Sequence, residues 1–133
     1  MSSDATPRPT DADTTIAELR QIVQEFVDER DWQQFHSPKN LSMSLAIEAA
    51  EVMEHFQWLT IAQSNQVAQD PEALSEVGEE IADVLCYLLG LVNQLDLDLS
   101  QAMRDKMTKN RRKYPAEQFQ GRYGHKHQLP ESS

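Results

Sequence analysis

Cysteine is nearly absent from this chain of 133 residues, which contains a single one, Cys86. One cysteine excludes a disulfide framework within the chain, and its position in an apolar run predicts a packed core side chain. Glycine is also scarce, with four residues, and long stretches contain no proline. These shortages favour an all-helical fold, and the length allows one domain with a substantial core.

Long apolar segments and positive charge are also in short supply. No apolar run is long enough to span a bilayer, and the first residues are polar rather than patterned as a signal peptide. We therefore expect a cytoplasmic protein without a membrane partner. Twelve Lys and Arg stand against 22 Asp and Glu, for a formal net charge of −10. Such a chain binds nucleic acid poorly, but it is compatible with a phosphorylated small molecule held through metal ions.

The spacing of apolar residues divides the chain into three parts. Residues 1–13 lack apolar periodicity and are expected to be disordered, 14–115 form the helical domain, and 116–133 are expected to be irregular or disordered. The predicted helices cover about residues 15–31, 40–58, 71–95 and 98–114, with a loop or a short frayed helix at 60–70. Side-chain caps mark three of the helix starts: Thr15 with Glu18, Asp70 followed by Pro71, and Asp98.

Two carboxylate pairs lie in segments that otherwise have the pattern of core helices: Glu48 with Glu51, and Glu80 with Asp83. Residues three apart lie on one side of an α-helix, so each pair places two negative charges beside the apolar face. A divalent cation with oxygen ligands would relieve that repulsion. If the two helices pack antiparallel, the four carboxylates face each other, and such hard ligands suit Mg²⁺ or Mn²⁺.

Other interpretations of these carboxylates remain open at this stage. Helices are commonly rich in Glu, so both pairs could belong to a solvated acidic face. A di-iron carboxylate bundle would need Glu-x-x-His spacing, which this sequence lacks. The four histidines show no zinc-ligand pattern.

An aromatic connector precedes the second predicted helix. It contains Trp32, Phe35 and His36 and ends at Pro38. The proline disfavours helix in the residue before it, so we expect a connector here. Trp32 and Phe35 either plug the end of the core or belong with His36 to a wall that stacks on a planar ligand. Trp32 and His36 are therefore candidate substrate-binding residues.

A basic cluster ends the fourth predicted helix of this acidic protein. Lys106 and Asn110 are four residues apart and share a face, and Arg111 follows directly. These groups are able to neutralise a triphosphate, although cations at a helix C-terminus also stabilise the helix itself. Because four helices need not bring this end to the carboxylates, a partner subunit is a possible source of the cations.

Four sequence blocks, taken in order, resemble a known family. They are Asp31-Trp-Gln-Gln-Phe-His-Ser-Pro-Lys-Asn-Leu41, Glu48-Ala-Ala-Glu-Val-Met-Glu-His-Phe-Gln-Trp58, Glu79-Glu-Ile-Ala-Asp-Val-Leu-Cys-Tyr87 and Lys106-Met-Thr-Lys-Asn-Arg-Arg-Lys-Tyr-Pro115. Together they resemble the MazG-like all-α nucleotide pyrophosphohydrolases, and within them the dCTP pyrophosphatase branch, over roughly residues 15–115. Glu-x-x-Glu with Glu-x-x-Asp alone is a weak signal, whereas all four blocks in sequence are specific.

The resemblance implies an all-α bundle of four to five helices that is completed by oligomerisation, as a homodimer or homotetramer with sites shared between chains. It implies Mg²⁺-dependent hydrolysis of a deoxynucleoside triphosphate to monophosphate and pyrophosphate, with dCTP or a modified dCTP as substrate and nucleotide-pool house-cleaning as the role. The implied metal-binding and catalytic residues are Glu48, Glu51, Glu80 and Asp83. The implied substrate-binding residues are Trp32, Trp58 and Tyr87 at the base and sugar, and Lys106, Asn110 and Arg111 at the phosphates.

One position departs from the pattern of the family. Val23 stands where the vertebrate-type enzymes have a histidine near the pocket, so the base preference is open. The nearest alternative is the same chemistry on a broader or different set of nucleotides. A non-enzymatic helical interaction protein is the alternative from another class. It predicts that Glu48→Gln and Asp83→Asn leave thermal stability unchanged with and without Mg²⁺, and that no dNTP releases pyrophosphate.

Overall fold

The computed structural model describes residues 6–122, and its regular elements are helices. The α-helices are α1 (Ile16–Glu29), α2 (Pro38–Glu54), α3 (Ile61–Asn65), α4 (Pro71–Gln94), α5 (Leu99–Lys113) and α6 (Ala116–Phe119), with 3₁₀ turns at Asp11–Asp13, Gln33–Phe35 and Val67–Gln69. The predicted all-α class is confirmed, since residues 6–122 contain no strand. Within the same residues, no helix has both the length and the apolar character needed to cross a membrane.

The helix starts predicted from side-chain caps are confirmed. The Thr15 hydroxyl accepts a hydrogen bond from the backbone N–H of Glu18 at 3.2 Å, and the Glu18 carboxylate accepts one from the N–H of Thr15 at 2.8 Å. Asp70 accepts from two amides in the first turn of α4, and Asp98 accepts from the N–H of Gln101 at 2.9 Å. Each such cap contributes about 0.5–2 kcal/mol, because it pairs amides that the helix leaves free.

The bounds of α2 differ from the prediction at both ends. The helix begins at Pro38, because Ser37 acts as the N-cap and accepts a hydrogen bond from the N–H of Asn40 at 3.1 Å. It ends at Glu54, whereas the apolar spacing predicted a helix as far as Trp58; residues 55–58 form turns instead. No glycine or proline marks this end in the sequence, so the amphipathic pattern alone overran it.

Short helical segments stand in two further places: within 60–70, where a loop or a short frayed helix was predicted, and after Pro115, where irregular chain was expected. α3 is closed by a reciprocal capping box between Thr60 and Gln63. After Pro115, the single turn α6 brings the ring of Phe119 edge-on against Tyr114, with 5.1 Å between the ring centroids. The remainder of the predicted tail, 123–133, and residues 1–5 of the predicted lead-in lie outside the described residues.

α2 packs along α4, and the two helices run antiparallel. Leu41 near the start of α2 lies against Gly90 near the end of α4. His55, just after α2, shares a groove with Glu76 near the start of α4. α2 and α4 therefore face each other along their length, which is the arrangement that the carboxylate prediction required.

α1 also packs on α4 and is joined to it by reciprocal hydrogen bonds. Arg20 Nε donates to Asn93 Oδ1 at 2.9 Å, and Asn93 Nδ2 donates to the Arg20 carbonyl at 3.1 Å. The buried apolar side chains of the three helices are Val27, Leu41, Val77, Leu89 and Val92. Burying one leucine contributes about 1.5–3 kcal/mol, so this small set forms a modest core.

The chain divides into two compact units with the boundary between Leu97 and Asp98, and each unit is described by itself. The first contains α1–α4. The second contains α5 and α6, and α5 carries the predicted phosphate-binding residues Lys106, Asn110 and Arg111. The last turn of α5 is basic, as its position at a helix C-terminus favours.

Candidate functional site

α2 and α4 bring three of the four predicted carboxylates together. Glu48, Glu80 and Asp83 each offer an oxygen, and these three oxygens lie within 4.8 Å of one another. Glu80 and Asp83 lie one turn apart on α4, and Glu48 faces them because α2 is antiparallel. We refer to Glu48, Glu80 and Asp83 as the carboxylate cluster.

Two oxygens of the carboxylate cluster are buried and unpaired. Oε2 of Glu48 and Oε2 of Glu80 are shielded from solvent and have no hydrogen-bond partner. A buried acceptor without a donor is costly, and a buried carboxylate more so than a neutral group. The arrangement fits a cation, because a cation would satisfy both oxygens at once.

Glu51 lies beside the carboxylate cluster rather than in it. Its carboxyl group acts on both Glu48 and Glu80. Removal from water raises the pKa of Glu48 and of Glu80 above the ordinary value of 4.5, and the neighbouring Glu51 carboxyl raises each pKa further. The negative charge of Asp83 acts in the same direction. These carboxyls therefore favour either a proton or a metal ion.

The donor set of the cluster is chemically selective. All three donors are carboxylate oxygens, without sulfur or imidazole nitrogen. Hard oxygen donors suit Mg²⁺, Ca²⁺ and Mn²⁺, whereas zinc and iron sites usually include Cys or His. Mg²⁺ commonly keeps open positions for water and phosphate oxygens, so a site with few protein ligands fits it.

A cavity of about 420 Å³ adjoins the cluster. Its lining residues come from α1, the connector, α2 and α4: Ile22, Val23, Phe26, Val27, Trp32, His36, Leu41, Asp83, Cys86, Tyr87 and Gly90. Asp83 belongs both to this lining and to the carboxylate cluster. A ligand in the cavity can therefore extend a charged group to the cluster.

The aromatic connector forms a wall of the cavity. The rings of Phe26 and Trp32 meet edge-on with 5.6 Å between centroids, and His36 lies 6.2 Å from Trp32. The Arg30 guanidinium lies 3.7 Å from the Phe26 ring centroid and braces the wall. Such rings give a planar ligand a stacking surface, which favours the ligand-wall interpretation of Trp32 and His36.

Tyr87 adds a hydrogen-bond donor to the cavity. Burial raises the pKa of its hydroxyl, and the negative charges of Glu48 and Asp83 raise that pKa further. The hydroxyl therefore stays protonated at neutral pH. It is able to donate a hydrogen bond to a ligand oxygen next to the cluster.

The remaining predicted residues are placed differently. Trp58 is 87% exposed and does not line the cavity, so its role in substrate binding stays a prediction. Lys106, Asn110 and Arg111 lie on α5, in the second unit. Cys86 was expected to be a packed core residue, and this was wrong: it is exposed, because the part of α4 around it borders the cavity rather than another side chain.

Several cavity residues were predicted only as core. Ile22 and Phe26 belong to the apolar stripe of α1, where they are 60% and 46% exposed. One apolar stripe serves both the core and the cavity wall, so periodicity cannot separate the two. The exposure of Phe26 depends on how α1 packs on α4, which the spacing of apolar residues does not contain.

The chain matches one protein family and is similar in sequence to proteins of known name. Residues 43–125 match the MazG-like family. The chain is 38% identical over 120 residues to dCTP pyrophosphatase 1 of Rattus norvegicus, covering 90% of this chain and 71% of that protein. It is 41% identical over 102 residues to dCTP pyrophosphatase 1 of Homo sapiens, covering 77% of this chain and 60% of that protein.

A solved structure supports the same relationship. A crystal structure of a pyrophosphatase from Archaeoglobus fulgidus is similar at 40% identity and a TM-score of 0.70, covering 83% of this chain and 98% of that one. The family match spans more than half of the chain, and the rat relative is covered over more than two thirds of its length. The resemblance noted from the four sequence blocks is confirmed, and the chain belongs to the MazG-like family.

Proposed function

We propose that this protein hydrolyses a deoxynucleoside triphosphate to the monophosphate and pyrophosphate. Water adds to the α-phosphorus, the bond to the bridging α–β oxygen breaks, and pyrophosphate leaves. The observation that carries the proposal is the contact between the carboxylate cluster and the cavity through Asp83. Because the two adjoin, one nucleotide could place its phosphates at the cluster and its base in the cavity.

Glu48, Glu80 and Asp83 would hold Mg²⁺, with Mn²⁺ as the alternative. A bound metal of this kind supplies charge neutralisation at the phosphates and lowers the pKa of an attached water. Glu51 lies next to two of these residues but outside the group of three, so it is placed to orient the attacking water and to accept its proton. The four carboxylates thus divide into three ligands and one base.

The base would stack on Trp32 in the cavity, with its polar edge towards His36 and Tyr87. Both relatives named above are dCTP pyrophosphatases, so we propose dCTP or a modified dCTP as the substrate and nucleotide-pool house-cleaning as the role. A broader set of nucleotides is the second candidate. Val23 favours it, because an apolar side chain in the cavity lining cannot select a base by hydrogen bonding.

Lys106, Asn110 and Arg111 would bind the phosphates in a homodimer or homotetramer whose sites are shared between chains. Large apolar side chains on α2 and α4 support assembly, since Ile47 is 60% and Ile81 is 55% exposed. Exposed apolar surface of this kind is stabilised by burial in an interface. A cytoplasmic location would put such an enzyme beside the nucleotide pool.

Pyrophosphate release tests the proposed function. We expect the protein with Mg²⁺ to convert a deoxynucleoside triphosphate into monophosphate and pyrophosphate in equal amounts. In water labelled with ¹⁸O, the labelled product shows which phosphorus is attacked. Label in the monophosphate supports attack at the α-phosphorus. Orthophosphate as the first product, or no release from any of the four common dNTPs, would contradict the proposal.

Protection of Cys86 from alkylation tests nucleotide binding in the cavity. Cys86 is the only cysteine of the chain and lines the cavity, so alkylation by iodoacetamide reports on this position alone. Burial raises the pKa of the thiol above its ordinary value of 9.0, and Asp83 raises it further, so the reaction is best followed above pH 9.0. A non-hydrolysable dCTP analogue at about ten times its Kd should slow alkylation about tenfold, measured by intact mass.

A matched ligand separates base binding from phosphate binding in this experiment. Inorganic triphosphate contains the charged group without the base, and it should leave the alkylation rate of Cys86 nearly unchanged. Equal protection by triphosphate and by the dCTP analogue would show that the base does not occupy the cavity.

A further inference from the structure

Two rings of the cavity wall are not held in place by the core. Phe26 is 46% exposed and Trp32 is 41% exposed, so core packing fixes neither ring. Side chains this exposed change rotamer freely unless neighbouring groups hold them. The two rings nevertheless meet edge-on, with 5.6 Å between their centroids, and both line the cavity. The contacts that hold them lie at the C-terminal end of α1.

Asp31 turns the chain back over the end of α1. Its φ of 53° lies in the left-handed region, which favours glycine. The N–H of Asp31 donates to the carbonyl of Asp28 at 3.1 Å. The N–H of Trp32 donates to the carbonyl of Val27, also at 3.1 Å. This pair of bonds is a Schellman motif, whose left-handed residue is usually glycine. The turn returns Trp32 to the last turn of α1, where its ring meets Phe26.

Arg30 holds the Phe26 ring. Its guanidinium lies 3.7 Å from the ring centroid, and its Nη1 donates to the Phe26 carbonyl at 3.0 Å. The same Nη1 lies 3.4 Å from Oε2 of Glu29. One side chain therefore contacts both the ring and the backbone of Phe26. Its charge also suits the C-terminal end of a helix, where free carbonyls favour a cation.

We propose that Arg30 and Asp31 are positioning residues, which set the Phe26 and Trp32 rings in place for a planar ligand before it binds. Neither Arg30 nor Asp31 lines the cavity, so each acts through the ring beside it. A wall that is already ordered loses less side-chain entropy on binding, and the ligand therefore binds more tightly. The inference rests on the proposed function, because it takes this cavity to be the base site.

Asp96 repeats the same turn at the end of α4. Its φ is 48°, and its N–H donates to the carbonyl of Asn93 at 3.3 Å. The N–H of Leu97 donates to the carbonyl of Val92 at 3.1 Å. Neither Asp96 nor Leu97 lines the cavity. A substitution of Asp96 therefore makes the same change in backbone preference and charge as one of Asp31, but away from the wall.

Asp31→Val and Asp96→Val test the role of the turn. A β-branched residue disfavours left-handed φ, so both variants should lose a few degrees of Tm. Asp31→Val should also raise the KM for dCTP about tenfold with kcat nearly unchanged, whereas Asp96→Val should keep the KM of the wild type. An equal rise of KM in both variants, or an unchanged KM in Asp31→Val, would overturn the inference.

Asp31→Gly separates the conformation of residue 31 from its side chain. Glycine adopts this φ without steric cost, so Asp31→Gly should keep the KM of the wild type. It loses only the contact between Asp31 Oδ2 and Gln34 Nε2, which at 3.5 Å is a weak hydrogen bond. A KM raised as far as in Asp31→Val would assign the effect to the carboxylate and overturn the role of the turn.

Arg30→Met tests the second contact and does not depend on the folding of Asp31→Val. Methionine keeps a long side chain but removes the cation, so the KM for dCTP should rise about threefold at unchanged kcat. Arg30→Lys keeps a cation for the Phe26 ring and should lie closer to the wild type. An unchanged KM in Arg30→Met would overturn the role of Arg30.

Binding measurements separate this inference from the proposed function. The Kd of α,β-imido-dCTP should rise in Asp31→Val as the KM does, while the Kd of inorganic triphosphate, which has no base, should stay unchanged. Equal weakening of both ligands would overturn the inference. A wild type that releases no pyrophosphate, but whose binding of the analogue is weakened by Asp31→Val, would overturn the proposed function alone. A wild type that neither binds the analogue nor releases pyrophosphate would overturn both.

Discussion

Replacing Glu80 by Gln should lower pyrophosphate release about a thousandfold or more while raising the Tm of the metal-free protein at neutral pH. The activity falls because Glu80 supplies one of three clustered oxygens, and losing a ligand weakens both metal binding and charge stabilisation in the transition state. The stability rises because Gln removes a negative charge that partial burial, Glu51 and Asp83 all disfavour.

The opposite signs of these two effects make the prediction discriminating. If Glu80 were needed only for folding, Glu80→Gln would lower the activity and the stability of the protein together. The interaction-protein alternative, in which the carboxylates form a solvated face, predicts no change in Tm with or without Mg²⁺. Only a charge that is unfavourable without metal and useful with it gives a more stable and less active protein.

Glu79→Gln is the matched control for this substitution. Glu79 is the neighbour of Glu80 on α4 and is exposed, and it does not belong to the carboxylate cluster. It makes the same change of charge at nearly the same place in the sequence. Pyrophosphate release and Tm, measured with EDTA and with Mg²⁺, should stay close to those of the wild type. Comparable loss of activity in Glu79→Gln and Glu80→Gln would contradict the assignment of the cluster.

Helix starts could be predicted from the sequence because they depend on local chemistry. Thr15 with Glu18, and Asp70 before Pro71, satisfy free amides within one turn, so nearby residues contain the required information. The end of α2 lacks such a signal. There the chain leaves the helix after Glu54, and no residue in the sequence marks the change.

The carboxylate pairs could be predicted, but their meeting could not be derived from spacing alone. Periodicity places Glu48 beside the apolar face of its helix, and it does the same for Glu80 and Asp83. That α2 packs on α4 rather than on α1 depends on the fit of side chains distant in sequence, such as Leu41 against Gly90. Antiparallel packing of the two helices was therefore a condition of the prediction and not a consequence of the pattern.

The cavity was harder to predict than the cluster. A carboxylate on an apolar border is conspicuous in a sequence, whereas an apolar residue that lines a pocket looks like one that fills a core. Ile22 and Phe26 belong to the same apolar stripe of α1 as buried Val27, yet they are exposed and line the cavity.

The stability gained from Mg²⁺ should increase with pH. Glu48 and Glu80 have a higher pKa in the folded protein than the ordinary 4.5, so the folded state binds more protons than the unfolded state between those values. Through these two groups, the metal-free protein is therefore most stable below pH 4.5 and loses stability as pH rises through the folded pKa values. Mg²⁺ binds the deprotonated carboxylates, so it competes with protons at low pH and replaces them at high pH.

Thermal unfolding at a series of pH values measures this coupling. With EDTA, the Tm of the wild type relative to Glu80→Gln should fall between pH 5 and pH 8. With Mg²⁺ at about a hundred times its Kd, the wild-type Tm should rise on the order of 10 °C at pH 8, and clearly less at pH 5. Added NaCl of equal ionic strength controls for general screening, which acts on all surface charges alike. A Mg²⁺-induced shift of equal size at both pH values, or one that persists in Glu80→Gln, would show that the ion binds elsewhere. A shift that grows with pH in the wild type alone would identify the raised carboxyls and the metal ligands as the same residues.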